Sequence, residues 1–183
     1  MTGLDRFLQR WRVRVALAHL PPGADLLDVG CYDGALVSRA LALPKDRRPR
    51  RAVGIDPAAP GDFPGLDIRR ANLTSAGFRD AEFTCVALLA VLEHVPDAPA
   101  FARDLARVLA PGGRLIITVP SPRVDAILAV LRAVRLVHGM SLEQHHGYDP
   151  RRTSAVFEGA GFRLATHRTF QLGLNNLFVF EKR

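Results

Sequence analysis

Two acids, two glycines and a handful of histidines carry most of the chemistry written in this sequence. Leu26-Leu27-Asp28-Val29-Gly30-Cys31-Tyr32-Asp33-Gly34 runs from an apolar strand through a glycine turn into a stretch of good helix formers, residues 35–41. Such a corner points backbone N–H groups at the helix N-terminus, where the anionic end of a ligand can sit. Gly30 and Gly34 allow a close approach that a side chain would block. Farther on, Ala52-Val53-Gly54-Ile55-Asp56-Pro57 is a short apolar strand ending in a carboxylate. Two carboxylate oxygens match the two hydroxyls of a ribose; the plainer reading is a solvated acid before a proline turn. Glu93-His94 leaves the end of a third strongly apolar segment. A histidine there can take or give a proton near neutrality, or the pair can fix the loop by hydrogen bonds.

Asp28-x-Gly30-x-x-x-Gly34, Asp56, Leu92-Glu93-His94-Val95 and Pro111-Gly112-Gly113 follow one another along the chain. In order and spacing they resemble the class I S-adenosylmethionine-dependent methyltransferases. The resemblance is closest to the small-molecule branch that includes ubiquinone and menaquinone methyltransferases, and it covers residues 24–182. It implies an α/β, Rossmann-like fold: a seven-stranded, mostly parallel sheet with an antiparallel C-terminal strand and helices on both faces. It also implies S-adenosyl-L-methionine as cofactor and a small-molecule acceptor.

By the same resemblance Asp28, Gly30, Cys31, Tyr32 and Gly34 hold the methionine part of the cofactor, and Asp56 with Pro57 holds the ribose. Asn72 and Leu73 lie at the adenine, and Leu88 lies beside the reacting methyl group. Tyr32 stands where the family usually has its middle glycine. Asn72 stands where many relatives carry an acid that accepts from the adenine amino group; its carbonyl can accept likewise, or the residue caps a helix. Some relatives bind a divalent metal through Glu-x-x-Glu-His. Here Ala90 fills the first position, and two donors are too few, so no metal is expected. In similar enzymes the region of residues 139–149 closes over the acceptor. His94 and His145 are therefore the candidate catalytic residues, with His146 and Tyr148 beside the second. Holding donor and acceptor in line can supply most of the acceleration, so no obligatory catalytic side chain is required. Two other functions fit the motifs: a cofactor-binding regulatory protein without transferase activity, and an RNA methyltransferase.

These residues need a scaffold, and the sequence predicts one. Leu4, Phe7, Leu8, Trp11, Val15 and Ala18 recur at helical spacing over residues 3–20, before Pro21-Pro22-Gly23 stops the chain. This helix packs beside the sheet or covers the cofactor cleft; a membrane-surface role is the sharper alternative. Strands are expected at 24–29, 52–56, 66–71, 82–89, 114–119, 162–169 and 175–180, the last two forming an antiparallel edge. Helices are expected at 35–41, 98–109, 122–138 and 150–159. The prolines of residues 57–65 exclude a helix from the second crossover. The helix at 122–138 is apolar on several sides, which suits an acceptor pocket or a homodimer contact.

The chain of 183 residues suits one domain, residues 1–183. Its net charge is +7 with a pI near 10.6, yet only Lys45 and Lys182 are lysines. No interleaving of aromatic and basic residues marks a nucleic-acid surface, so a nucleic-acid partner is not expected. The two cysteines, Cys31 and Cys85, sit in apolar contexts and read as buried thiols. With no apolar run long enough to cross a bilayer and no secretory signal in view, a cytoplasmic protein without an integral membrane segment is expected.

Overall fold

The computed structural model describes residues 3–61, 63–121 and 148–183. The helix expected at 122–138, its dimer or acceptor contact, and the acceptor loop with His145 and His146 lie outside them. The strands are β1 (Asp25–Val29), β2 (Arg51–Ile55), β3 (Asp67–Arg69), β4 (Phe83–Leu89), β5 (Leu109–Pro120), β6 (Phe162–Phe170) and β7 (Asn175–Lys182). The helices described are α1 (Gly3–Leu17), α2 (Ala35–Leu41), α3 (Ala98–Val108) and α4 (Thr153–Gly159). Short 3₁₀ turns cover Leu92–His94 and Pro150–Arg152.

The strands form a seven-stranded sheet in the order β3-β2-β1-β4-β5-β7-β6. β3, β2, β1, β4 and β5 pair in parallel, and β7 runs antiparallel to both its neighbours. The chain thus moves outward through β2 and β3, then returns across β1 to β4. The reversal between β1 and β4 opens a crevice at the carboxyl ends of the strands, where open α/β sheets hold their ligands.

Both faces of the sheet are covered, because the strands are apolar at odd and even positions alike. Leu27, Val29, Val53, Val86, Leu88 and Ile117 join Ala102, Leu105 and Val108 of α3 and Phe157 of α4 in one core. Leu26, Ala52, Cys85, Ala87 and Ile116 join Val13 and Ala16 of α1 and Val37 and Ala40 of α2 in the other. The Asp97 carboxylate starts α3 by accepting from the Ala100 amide at 2.9 Å.

Several boundaries differ from the sequence expectation. α1 ends at Leu17, and the amides of Ala18, His19 and Leu20 close its last turn on Arg14, Ala16 and Leu17. β3 keeps only three residues, two of them exposed, as befits a sheet edge. β5 starts at Leu109, opposite Phe83, and the register slips before Arg114 pairs with Cys85. Gly113 sits in that slip, where a Cβ would lie 2.7 Å from the Ala110 carbonyl oxygen. The two final strands form the antiparallel edge expected of them, with β7 between β5 and β6 and β6 outermost. No helix interrupts the described residues between β2 and β3, in keeping with the prolines there.

Candidate active site

A cavity of about 1090 Å³ opens at the carboxyl ends of β1, β2 and β4. Of the predicted residues, Asp28, Gly30, Cys31, Tyr32, Asp56, Pro57 and His94 line it. Gly34, Asn72, Leu73 and Leu88 do not. Gly34 shapes the turn from behind: its φ of +68° starts α2, and a Cβ would press on Ile68 and Leu66. Leu73 and Leu88 are buried in the core on the α3 side of the sheet. Asn72 is exposed at a tight turn, where its carbonyl accepts from Ser75 and Ala76.

The turn after β1 is built differently from the sequence expectation of bare backbone donors. The Gly30 and Cys31 amides both donate to the Ile55 carbonyl, at 2.8 and 3.2 Å. The Gly34 amide donates to the Cys31 carbonyl, and the Ala35 amide to the Asp33 carboxylate. The Tyr32 amide donates to Asp56 at 3.0 Å, while the other Asp56 oxygen accepts from Ala58 at 2.7 Å. These donors are therefore satisfied within the protein, because β2 runs close alongside and offers both a carbonyl and a carboxylate. Tyr32 takes a left-handed φ of 39° and leaves its side chain half exposed at the cavity.

What the corner offers a ligand is negative charge. Asp5, Asp28, Asp33 and Asp56 all line the cavity. Burial, then the charges of Asp33 and Asp56, raises the Asp28 carboxyl to about 8. Burial and the same three acids push the Cys31 thiol up to about 12, so it is no nucleophile near neutrality. A cationic group placed here would relieve all of this repulsion at once.

The far wall comes from α1, which sequence reading assigned no site residue. Asp5, Leu8, Gln9, Arg12 and Val13 face the cavity. Gln9 Nε2 donates to the Asp33 carboxylate at 2.9 and 3.0 Å, tying the helix to the turn. Positions 5, 8, 9 and 12 recur at helical spacing, so a mixed-polarity stripe beside the apolar one was the signal available. Ala90 and Val91 close the third side. Val91 packs on Gly30 so tightly that a Cβ on Gly30 would lie 2.3 Å from Val91 Cγ2. His94 ends the 3₁₀ turn and is exposed, while Leu92 and Glu93 before it are buried.

Comparison with known proteins agrees with this geometry. A family model described as a methyltransferase domain matches residues 2–167. A Mycolicibacterium smegmatis protein named probable S-adenosylmethionine-dependent methyltransferase is 30% identical over 79% of this chain and 60% of its own. A ubiquinone biosynthesis O-methyltransferase of Xanthomonas axonopodis is 30% identical over 79% of this chain and 64% of its own. The chain thus spans about three-fifths of the length of these relatives. Among solved structures, a chain of the complex between the Haloferax volcanii Trm112 methyltransferase activator and a methyltransferase superposes with a TM-score of 0.74. It shares 15% identity, covering 98% of this chain and 93% of that one, and so speaks for the fold alone. With a seven-stranded sheet in this order and a family match along most of its length, the chain belongs to the methyltransferase domain family.

Proposed function

We propose that the protein transfers the methyl group of S-adenosyl-L-methionine to a small-molecule acceptor. The observation that carries this reading is the acidic cavity at the topological reversal, where Asp56 is held against the glycine turn by Tyr32 and Ala58. Both Asp56 oxygens keep lone pairs free to accept from a ribose diol. Asp28, Asp33 and Asp5 favour the ammonium and sulfonium charges of the donor. Gly30, Cys31 and Tyr32 form the floor under its methionine part, and Pro57 flanks the nucleoside.

The bound cofactor supplies the activated methyl group on its sulfonium. The chain's own residues hold the donor and keep water from the reacting end through Leu8, Val13, Leu36, Leu89 and Val91. His94 stands on the post-β4 turn as the candidate base for an acceptor that must lose a proton. A polyanionic acceptor such as RNA would carry its phosphates toward an acidic mouth, which favours a small molecule. The ubiquinone-pathway relative makes a hydroxyl the first acceptor to try. Cys31 and Cys85, both free and buried, suit the cytoplasm.

Calorimetry with S-adenosylhomocysteine and with NAD tests the reading. Binding of S-adenosylhomocysteine is expected, with Asp56→Ala weakening it by at least about tenfold, or about 1.4 kcal/mol. Binding of NAD with no response to S-adenosylhomocysteine would overturn it. Transfer of labelled methyl into an extract separates the transferase from a binding protein without activity.

A further inference from the structure

The outer face of α1 and the turn between β6 and β7 carry side chains that neither the core nor the cavity takes up. The inner side of α1 is fully used: Val13, Val15 and Ala16 pack on the sheet, and Asp5, Leu8, Gln9 and Arg12 face the cavity. Arg6, Phe7, Arg10 and Arg14 are left exposed. The three arginines follow one another at steps of four, so they form one row along the helix. None of them is in an ion pair among the described residues. Asp5, the only acid of α1, turns the other way, into the cavity.

The turn supplies an apolar counterpart. Gln171 and Leu172 take left-handed φ values of 51° and 58°, where hairpins favour Asn and Gly. Gln171 has a reason to be there: its Nε2 donates to the Leu8 carbonyl at 2.8 Å, and its Oε1 accepts from Asn175. Leu172 has none within the fold, since it is 94% exposed. Phe7, 57% exposed, adjoins Leu8 in the chain as Leu172 adjoins Gln171. That one hydrogen bond therefore brings together the two segments that carry exposed apolar side chains. Phe7 stands edge-on to Trp11, with 5.8 Å between the ring centroids. β6 runs in the direction of β5, so the turn emerges at the same end of the sheet as the cavity.

Exposed Leu and Phe beside a row of unpaired arginines suit a lipid surface: apolar tips enter the headgroup layer while guanidinium groups meet its phosphates. RNA is the other polyanion such a row could meet, but Leu172 offers a base no ring to stack on, and the mouth at that end is acidic. We propose that Arg6, Phe7, Arg10, Arg14 and Leu172 form a docking surface for an anionic membrane. The contact is peripheral, and it uses no cavity residue, so it stands apart from the cofactor reading.

Co-sedimentation of the whole chain with vesicles tests it. Vesicles of phosphatidylcholine alone are expected to leave the protein in solution. Vesicles of equal parts phosphatidylcholine and phosphatidylglycerol are expected to carry it down in dilute salt and release it in molar salt. Arg6→Gln, Arg10→Gln and Arg14→Gln combined are expected to weaken binding about a hundredfold, at about fivefold per arginine. Leu172→Asn suits the left-handed turn better than leucine, so its melting temperature is expected to hold or rise. Its vesicle affinity is nevertheless expected to fall about fivefold or more. Failure of the anionic vesicles to bind the native protein would overturn the proposal. So would binding that neutral vesicles match, or that Leu172→Asn leaves unchanged in a protein folded by circular dichroism. Without vesicle binding, an RNA oligomer retained by Leu172→Asn and lost by the arginine variant would give the face to nucleic acid. A dimer in sedimentation velocity that Leu172→Asn breaks would give it to a second copy of the chain. Either result overturns the membrane assignment.

Discussion

Asp28 is the residue at which stability and ligand binding pull in opposite directions. Its carboxyl is raised to about 8 in the fold, chiefly by burial, against an ordinary value of about 3.9 in an unfolded chain. Between those two values the folded state holds a proton that the unfolded state has lost. Stability therefore falls as pH rises from about 4 to about 8, and levels off above. Asp28→Asn removes the ionisable group. Its melting temperature is expected to lose less between pH 5 and pH 9 than that of the native protein, and to lie above it at pH 9; thermal denaturation across that range checks both. A cationic ligand would favour the ionised carboxylate, so donor binding at neutral pH is expected to release a proton. Calorimetry in buffers of different ionisation enthalpy reads that directly.

At the scale of elements, three segments distant in sequence meet at one glycine. The turn after β1 closes on the Ile55 carbonyl of β2 and presses Gly30 against Val91 beyond β4. Gly30→Ala would combine a φ of +77° with a 2.3 Å clash. A cost of about 2–4 kcal/mol is expected from strain and overpacking together, together with loss of donor binding; the urea midpoint and a binding isotherm measure the two. The glycine itself was legible in the sequence, because a strand running into good helix formers through glycines is a local pattern. So were the proline-broken second crossover and the acid that follows β2. The satisfied state of the turn's donors was not, since it depends on a carbonyl from β2 arriving alongside. A helix covering the cleft was one of the two placements expected for α1, but the residues it turns inward were not legible, because Asp5, Gln9 and Arg12 look like a solvated face until the helix is laid over the crevice. The place of β7 was hidden for a related reason: alternation marks a strand but does not name its neighbours.

Over the whole molecule, charge is segregated. The chain carries +7 in total, yet four aspartates line the cavity at the carboxyl ends of β1, β2 and β4. Some of the arginine charge is paired at the surface, as in Arg69–Asp67 and Arg107–Asp80, and such pairs contribute little to stability. Among the described residues no helix is long and apolar enough to cross a membrane. The sheet is uneven as well. β7 has a partner on each side, and β3 is a three-residue edge whose only strand partner among the described residues is β2. That short edge adjoins Asp56, the acid proposed to hold the ribose, since the Asp56 amide donates to the Arg69 carbonyl at 3.1 Å. Amide hydrogen exchange is expected to be slowest in β1, β4 and β7 and fastest in β3. The half of the crevice proposed to receive the nucleoside is thus expected to be its softest margin. Occupancy by S-adenosylhomocysteine should slow exchange there, at Asp56 and along residues 67–69, far more than in the interior strands. A mass spectrum of deuterium uptake would then report donor occupancy from a place the methyl group never visits.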